Sequence, residues 1–277
     1  MWHLLLHLFI YYSFICTTII TPLPIVVLHG IDSSSEQLQP FCDWIKYMFN
    51  EKVFNIEIGN GGKTSMYSPL TDQVNELCKS IYNNDELKAG FDFIGMSQGG
   101  LIARGYVERC NLYPVRNLIT LVSPHGGIYC KKPDISNYAY NAFFQQHLSI
   151  SGYWRNPTML ETYLDKCSYL PVINNEVEHN SSNKQTQHIR SLANFVMVWS
   201  PRDEILCPPE SGKFSMLAEN LDILPLQETE LYEKDLLGLK YLADNKRLHI
   251  FETNCSHVDH RNEICYGQLY SILKPFI

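Results

Sequence analysis

The sequence predicts an α/β fold: a mostly parallel central sheet with helices on both faces and an aromatic-rich insertion over one edge. Three observations predict it. Short apolar runs alternate with segments of helical period through the first half of the chain, which is the pattern of a parallel sheet with crossover helices. One such run, Phe91-Asp92-Phe93-Ile94, passes directly into Gly95-Met96-Ser97-Gln98-Gly99, a G-x-S-x-G turn between strand and helix. After a long interruption the apolar runs resume at Asn194 and Arg247, each followed by a polar loop.

Taken in order, Pro24 to Gly30 is a continuous apolar run ending in a turn glycine, a buried parallel strand. From Glu36 to Asn50, Leu38, Phe41, Trp44, Ile45 and Met48 recur at helical spacing. Val53 to Ile58 reads as a second strand and Gly59 to Gly62 as a loop. The following Lys63-Thr64 makes that loop resemble a phosphate-binding turn, but the spacing is wrong and a flexible turn is the expectation. Leu70 to Leu87 is helical, with Val74, Leu77, Cys78 and Ile81 on one face. The strand Phe91–Ile94 follows, then a helix to about Cys110, then a strand over Val115–Val122.

Between Gly127 and Ala193 the rhythm breaks, and the segment at about 128–193 is rich in Tyr, Phe and Trp. It reads as an insertion over the edge where the strands end. Most of its aromatics are expected to form a small core and a few to line a groove for an apolar substrate. The sheet resumes at Asn194–Trp199 and again at Arg247–Phe251, and a helix over Asn262–Leu273 closes the chain.

Length and composition set bounds on this picture. A chain of 277 residues with 45% hydrophobic and 18% charged residues has enough surface to bury for a single large core. The formal net charge of −7 argues against a nucleic-acid partner, which requires a basic face. Residues 1–21 read as a secretory signal peptide, an apolar run without Lys or Arg that ends in small residues near Cys16–Thr18; an uncleaved signal anchor is the alternative. Residues 22–277 then form a single domain. The nine cysteines suit an oxidising compartment. Asn180-Ser181-Ser182 is a glycosylation acceptor in a polar stretch. Neither metal-ligand spacing nor a cofactor motif is found, so no metal or cofactor is expected.

The chemistry starts at Ser97. A serine hydroxyl needs a base to take its proton, and the base needs a carboxylate to fix its tautomer. When the nucleophile sits on a strand-to-helix elbow, acid and base follow in the chain order Ser, Asp or Glu, His, an α/β-hydrolase arrangement. Asp203 lies just beyond the strand ending at Trp199, and His257 just beyond the strand ending at Phe251. Glu204, Asp259 and His260 are neighbouring rivals, and His260 is the main competitor as base. His125 lies on the same edge but precedes Asp203, and His249 sits inside a strand. The oxyanion hole requires two backbone N–H groups. Gln98, after the nucleophile, and Ile31, in the loop after the first strand, are the expected donors.

With these residues placed, the chain resembles the palmitoyl-protein thioesterases. The matching blocks include Leu28-His29-Gly30-Ile31-Asp32, Gly95-Met96-Ser97-Gln98-Gly99-Gly100, Gly152-Tyr153-Trp154-Arg155-Asn156-Pro157, Leu237-Gly238-Leu239-Lys240 and Ser256-His257. The Tyr-Trp and Leu-Gly-Leu-Lys blocks serve no general hydrolase purpose, so they are more specific than the elbow. The resemblance implies a lysosomal glycoprotein that cleaves long-chain fatty-acyl thioesters, with Ser97, Asp203 and His257 as triad. It implies fatty-acylated protein, peptide or acyl-CoA as substrate, and membrane contact only through the lipid. It implies a disulfide between Cys78 and Cys110 and a glycan on Asn180. Cys130 is left without a partner, and Cys255 with Cys265 is a further candidate pair. A lipase or carboxylesterase acting on oxygen esters is the second reading, and an inactive lipid-binding protein on the same scaffold is the third.

Overall fold

The computed structural model describes residues 22–132 and 134–277. The signal-peptide reading falls on 1–21 and lies outside the described residues. A six-stranded sheet has the order β2-β1-β3-β4-β5-β8, every neighbouring pair parallel. Its strands are β1 (Ile25–Leu28), β2 (Val53–Ile56), β3 (Phe91–Met96), β4 (Val115–Leu121), β5 (Asn194–Trp199) and β8 (Leu248–Glu252). The inner strands are apolar on both faces because both faces are covered.

Strand alternation splits the core in two. Ile25, Val27, Ile94, Ile119, Val196 and Val198 face helices α1 (Ser35–Phe49) and α12 (Glu263–Leu273). Val26, Leu28, Phe93, Leu118, Phe195 and Met197 face the other way. There they meet α3 (Leu70–Tyr82), α4 (Gln98–Arg109) and the insertion. Each fully buried large apolar side chain contributes about 1.5–3 kcal/mol. α1 starts where Ser34 Oγ accepts the Gln37 N–H at 3.3 Å and stops at Asn50, whose φ of 55° ends the helix in the left-handed region.

The chain departs from the sequence reading in several places. The glycine turn is not merely flexible: it opens into α2 (Gly62–Tyr67), and Thr64 Oγ1 accepts the Asn60 N–H at 2.8 Å. α3 ends at Tyr82, and Asp85–Leu87 is a separate 3-10 turn capped by Asn84. The insertion holds α5 (Ser136–Ala139), α6 (Ala142–His147), α7 (Leu160–Lys166), α8 (Leu170–Ile173) and α9 (Ser182–Arg190). Beyond β5 lie a small hairpin, β6 (Met216–Leu217) with β7 (Ile223–Leu224), and two short helices, α10 (Glu230–Glu233) and α11 (Leu239–Asp244).

Cys78 joins Cys110 and so ties α3 to the end of α4. Cys255 joins Cys265 and ties the loop after β8 to α12. Cys130, unpaired in the sequence reading, is bonded to Cys207, a separation of 77 residues. Only the fold brings the start of the insertion against the loop after β5. Asn180 is exposed in the turn before α9.

Candidate active site

β3 delivers Ser97 to the carboxyl edge of the sheet, between strand and α4, with φ 54° and ψ −127°. A non-glycine residue held there costs on the order of 1–3 kcal/mol, so the surroundings must enforce it. Close packing does so. A Cβ on Gly95 would come within 2.6 Å of Gly100 Cα, and one on Gly99 within 2.3 Å of the His29 carbonyl oxygen. Both positions therefore require glycine for α4 to start tight against β3 and β1.

The loops after β5 and β8 converge on this serine. His257 Nε2 lies 2.9 Å from Ser97 Oγ, and His257 Nδ1 lies 2.7 Å from Asp203 Oδ2. All three residues are buried. The second carboxylate oxygen of Asp203 accepts the N–H groups of Ile205 at 2.9 Å and Leu206 at 2.8 Å, which fixes its plane. Glu204 accepts the backbone N–H of His257 at 3.1 Å and not the imidazole, whose Nδ1 is bonded to Asp203. It thereby anchors the histidine loop, a part its sequence position did not disclose.

The rival histidines are occupied elsewhere. His260 is bonded to Thr253 Oγ1 at 2.8 Å and donates from Nδ1 to the Ser256 carbonyl at 2.8 Å. His125 stacks on Phe214 with ring centres 4.6 Å apart and shares a 2.9 Å hydrogen bond with Thr120. Burial, then the nearby charge of Arg104, pushes its pKa well below the ordinary histidine range. His249 packs against Phe251 and Phe276 and bonds Asn194 Oδ1 at 3.0 Å.

The expected oxyanion donors sit beside Ser97. Gln98 is the first residue of α4, where free N–H groups and the helix dipole favour negative charge. Its side chain is held away from the site, donating to the Ser65 carbonyl at 2.7 Å and accepting from Tyr153 Oη at 3.1 Å. Among the described residues neither the Ile31 nor the Gln98 N–H is used in a turn or loop hydrogen bond. The Ile31 N–H belongs to the peptide unit whose carbonyl is that of Gly30. His29 Nδ1 donates to that carbonyl at 2.8 Å, and His29 Nε2 lies 2.6 Å from Glu57 Oε1. Glu57 also accepts the Ser35 N–H at 2.8 Å. Burial pushes the Glu57 carboxyl up, but the Ser35 N–H and the His29 ring outweigh it and hold it below the usual carboxylate range. Sequence reasoning missed this brace. The available signal was an acidic residue just beyond β2, at the same sheet edge as His29.

A cavity of about 290 Å³ opens at Ser97 and His257. Ile31, Leu38, Met96, Ile205 and Val258 give it an apolar wall, while Asp32, Ser33 and Arg261 give it a polar end. The aromatic insertion does not line it, contrary to the groove expected from the sequence. Tyr153, Trp154, Tyr163 and Tyr169 are instead buried in the core on the α4 side.

An open parallel sheet whose third strand runs into a strained serine, with a histidine and an aspartate delivered by two later strand ends, defines an α/β-hydrolase. A solved monoacylglycerol lipase from Paleococcus ferrophilus shares the fold, with a TM-score of 0.54 at 15% identity over 91% of this chain and 95% of that one. Residues 24–257 match the family described as palmitoyl protein thioesterase. Palmitoyl-protein thioesterase 3 of Dictyostelium discoideum is 32% identical over 92% of each chain. A Xenopus laevis protein named lysosomal thioesterase PPT2-B is 30% identical over 82% of this chain and 83% of its own. The chain belongs to the palmitoyl protein thioesterase family.

Proposed function

We propose that this chain hydrolyses long-chain fatty-acyl thioesters, S-palmitoyl cysteine or palmitoyl-CoA, through an acyl-enzyme on Ser97. The observation that carries the reading is His257, within hydrogen-bond reach of both Ser97 Oγ and Asp203, in a family whose relatives are named thioesterases.

In the first step Ser97 Oγ attacks the thioester carbonyl while His257 Nε2 takes the hydroxyl proton, and Asp203 stabilises the imidazolium. The N–H groups of Ile31 and Gln98 hold the oxyanion of the tetrahedral intermediate. Its collapse breaks the C–S bond, and the departing thiolate takes the proton from His257. Water, deprotonated by His257, then attacks the acyl ester. A second tetrahedral intermediate releases the fatty acid and returns the proton to Ser97. A thiolate leaves more readily than an alkoxide, so oxyanion stabilisation and acyl-chain binding carry most of the demand. Each methylene buried adds about 0.8 kcal/mol, and the apolar wall of the cavity receives the carbonyl end of the chain.

The setting we propose is the lysosomal lumen, reached by the secretory route with residues 1–21 as leader and a glycan on Asn180. Support comes from relatives named lysosomal thioesterases and from three disulfides among the described residues. The Ser35 N–H and the His29 ring, which hold Glu57 below the ordinary carboxylate range, favour its charged form as pH falls, and with it the brace behind Ile31.

Steady-state hydrolysis of a palmitoyl thioester and its oxygen-ester analogue tests the reading. The expected result is a higher kcat/KM on the thioester. Equal or faster cleavage of the oxygen ester favours a lipase or carboxylesterase, and no turnover of either favours a silent lipid-binding protein.

A further inference from the structure

We propose that Arg261 is the anion-binding element of a leaving-group site, holding a carboxylate or phosphate on the thiol side of the substrate. The proposal rests on the thioesterase reading and names the part of that substrate the triad does not touch.

Arg261 stands between two cavities. It closes the polar end of the one that contains Ser97 and His257. It also borders an adjoining open cavity of about 660 Å³, walled by Trp44 of α1 and Tyr266 of α12. The rings of Trp44 and Tyr266 stack with centres 4.2 Å apart and planes 16° apart, which holds both side chains in place in its wall. Arg261 is the residue that the catalytic cavity and the aromatic-walled cavity share.

The guanidinium is not neutralised where it stands. Arg261 Nη1 donates to Ser33 Oγ at 3.1 Å, and no described carboxylate lies within ion-pair distance of it. Asp32 lines the first cavity and Glu263 the second, yet neither forms that pair. Arginine retains its charge at all physiological pH values, and its planar fork matches the two oxygens of a carboxylate or phosphate. In a chain of net charge −7, an uncompensated cation beside the catalytic serine marks where a negative group is welcome.

The substrate supplies such a group on one side only. A thioester carbonyl carries an uncharged alkyl chain on one hand and a thiol residue on the other. The alkyl chain suits the apolar wall of the catalytic cavity. The thiol residue is the half that bears charge: the α-carboxylate of S-acyl-cysteine or the phosphates of acyl-CoA. The polar end at Arg261 is its complement.

The test compares three thioesters of one acyl chain: acyl-CoA, S-acyl-N-acetylcysteine and the uncharged S-acyl-N-acetylcysteamine. The readout is the ratio of kcat/KM on each anionic substrate to that on the uncharged one. Arg261→Gln is expected to lower that ratio about tenfold, mainly through KM, as loss of a charge-assisted hydrogen bond implies. Arg261→Lys is expected to recover part of it. A fall confined to acyl-CoA identifies phosphate as the ligand, and a fall confined to S-acyl-N-acetylcysteine identifies carboxylate. Ratios unchanged for both anionic substrates overturn the anion site alone, with the thioesterase reading intact. Wild-type chain that cleaves none of the three removes the thioesterase reading and the anion site together. Thermal unfolding of each variant separates a binding effect from loss of fold.

Discussion

The sheet half of the molecule, residues 25–121, and the insertion, residues 128–193, are built by opposite means. In the sheet half, ladders and the three long helices α1, α3 and α4, of twelve to fifteen residues, satisfy most of the backbone. The helices α5 to α9 of the insertion are four to nine residues long, too short to persist alone. Side chains hold them. Gln145 Nε2 donates to the carbonyls of Ala139 at 2.7 Å and Ser151 at 2.8 Å, and its Oε1 accepts from the N–H and hydroxyl of Ser168. Ser136 Oγ accepts from Trp154 Nε1 at 3.0 Å and Asn156 Nδ2 at 2.8 Å. The difference teaches what the aromatics are for. In a segment without long elements, large rings with a polar tip fill volume and donate a hydrogen bond together. They are the frame of the insertion, and the candidate chemistry comes from strand ends outside it.

The largest expected effect lies on the sheet side. Ser97→Ala should lower kcat on a palmitoyl thioester by about 10⁴-fold or more. Its unfolding free energy should stay within about 1 kcal/mol of wild type, because the change removes only a hydroxyl. Loss of fold, or retention of turnover, would remove the elbow serine from the mechanism. The next effect lies on the insertion side and is of the other kind. Trp154→Ala should cost about 3–5 kcal/mol in urea unfolding, as expected of a buried large ring, while kcat per folded molecule stays within a few-fold of wild type. A collapse of kcat without loss of stability would break the division of labour between the two regions.

The same division explains what could be read from the sequence. The strands β1 and β5 are almost wholly apolar runs, β3 and β4 are apolar runs broken by a few polar residues, and α1 carries Leu38, Phe41 and Ile45 on one face. Each announces itself locally. Ser97, Asp203 and His257, the proposed triad, were legible as candidates because chain order and strand ends constrain where they can lie, and the three side chains do meet. What stayed hidden depends on contacts between distant residues. Cys130 meets Cys207 across 77 positions. Glu57 braces His29 from the neighbouring strand end. The cavity wall joins Leu38 of α1 to Val258 beyond β8. The aromatic groove was misplaced because composition cannot say whether a ring faces a ligand or its own core.

The smallest effect tests the seam between the two regions. Tyr153 of the insertion donates its hydroxyl to Gln98 Oε1 at 3.1 Å, and both side chains are buried. Burial pushes the Tyr153 hydroxyl well above the ordinary tyrosine range, so it stays a neutral donor at every working pH. Gln98 is also held by its own bond to the Ser65 carbonyl at 2.7 Å, so loss of the tyrosine contact does not free it. Tyr153→Phe keeps the ring volume and removes one donor. It leaves a buried amide oxygen unsatisfied, which costs about 1–3 kcal/mol. The expected outcome is that loss in urea unfolding with kcat within about twofold of wild type, because the oxyanion donor proposed at Gln98 is its backbone N–H. A kcat lowered tenfold with unchanged KM would mean that the insertion steers that N–H through the side chain, and the seam would then belong to the catalytic side.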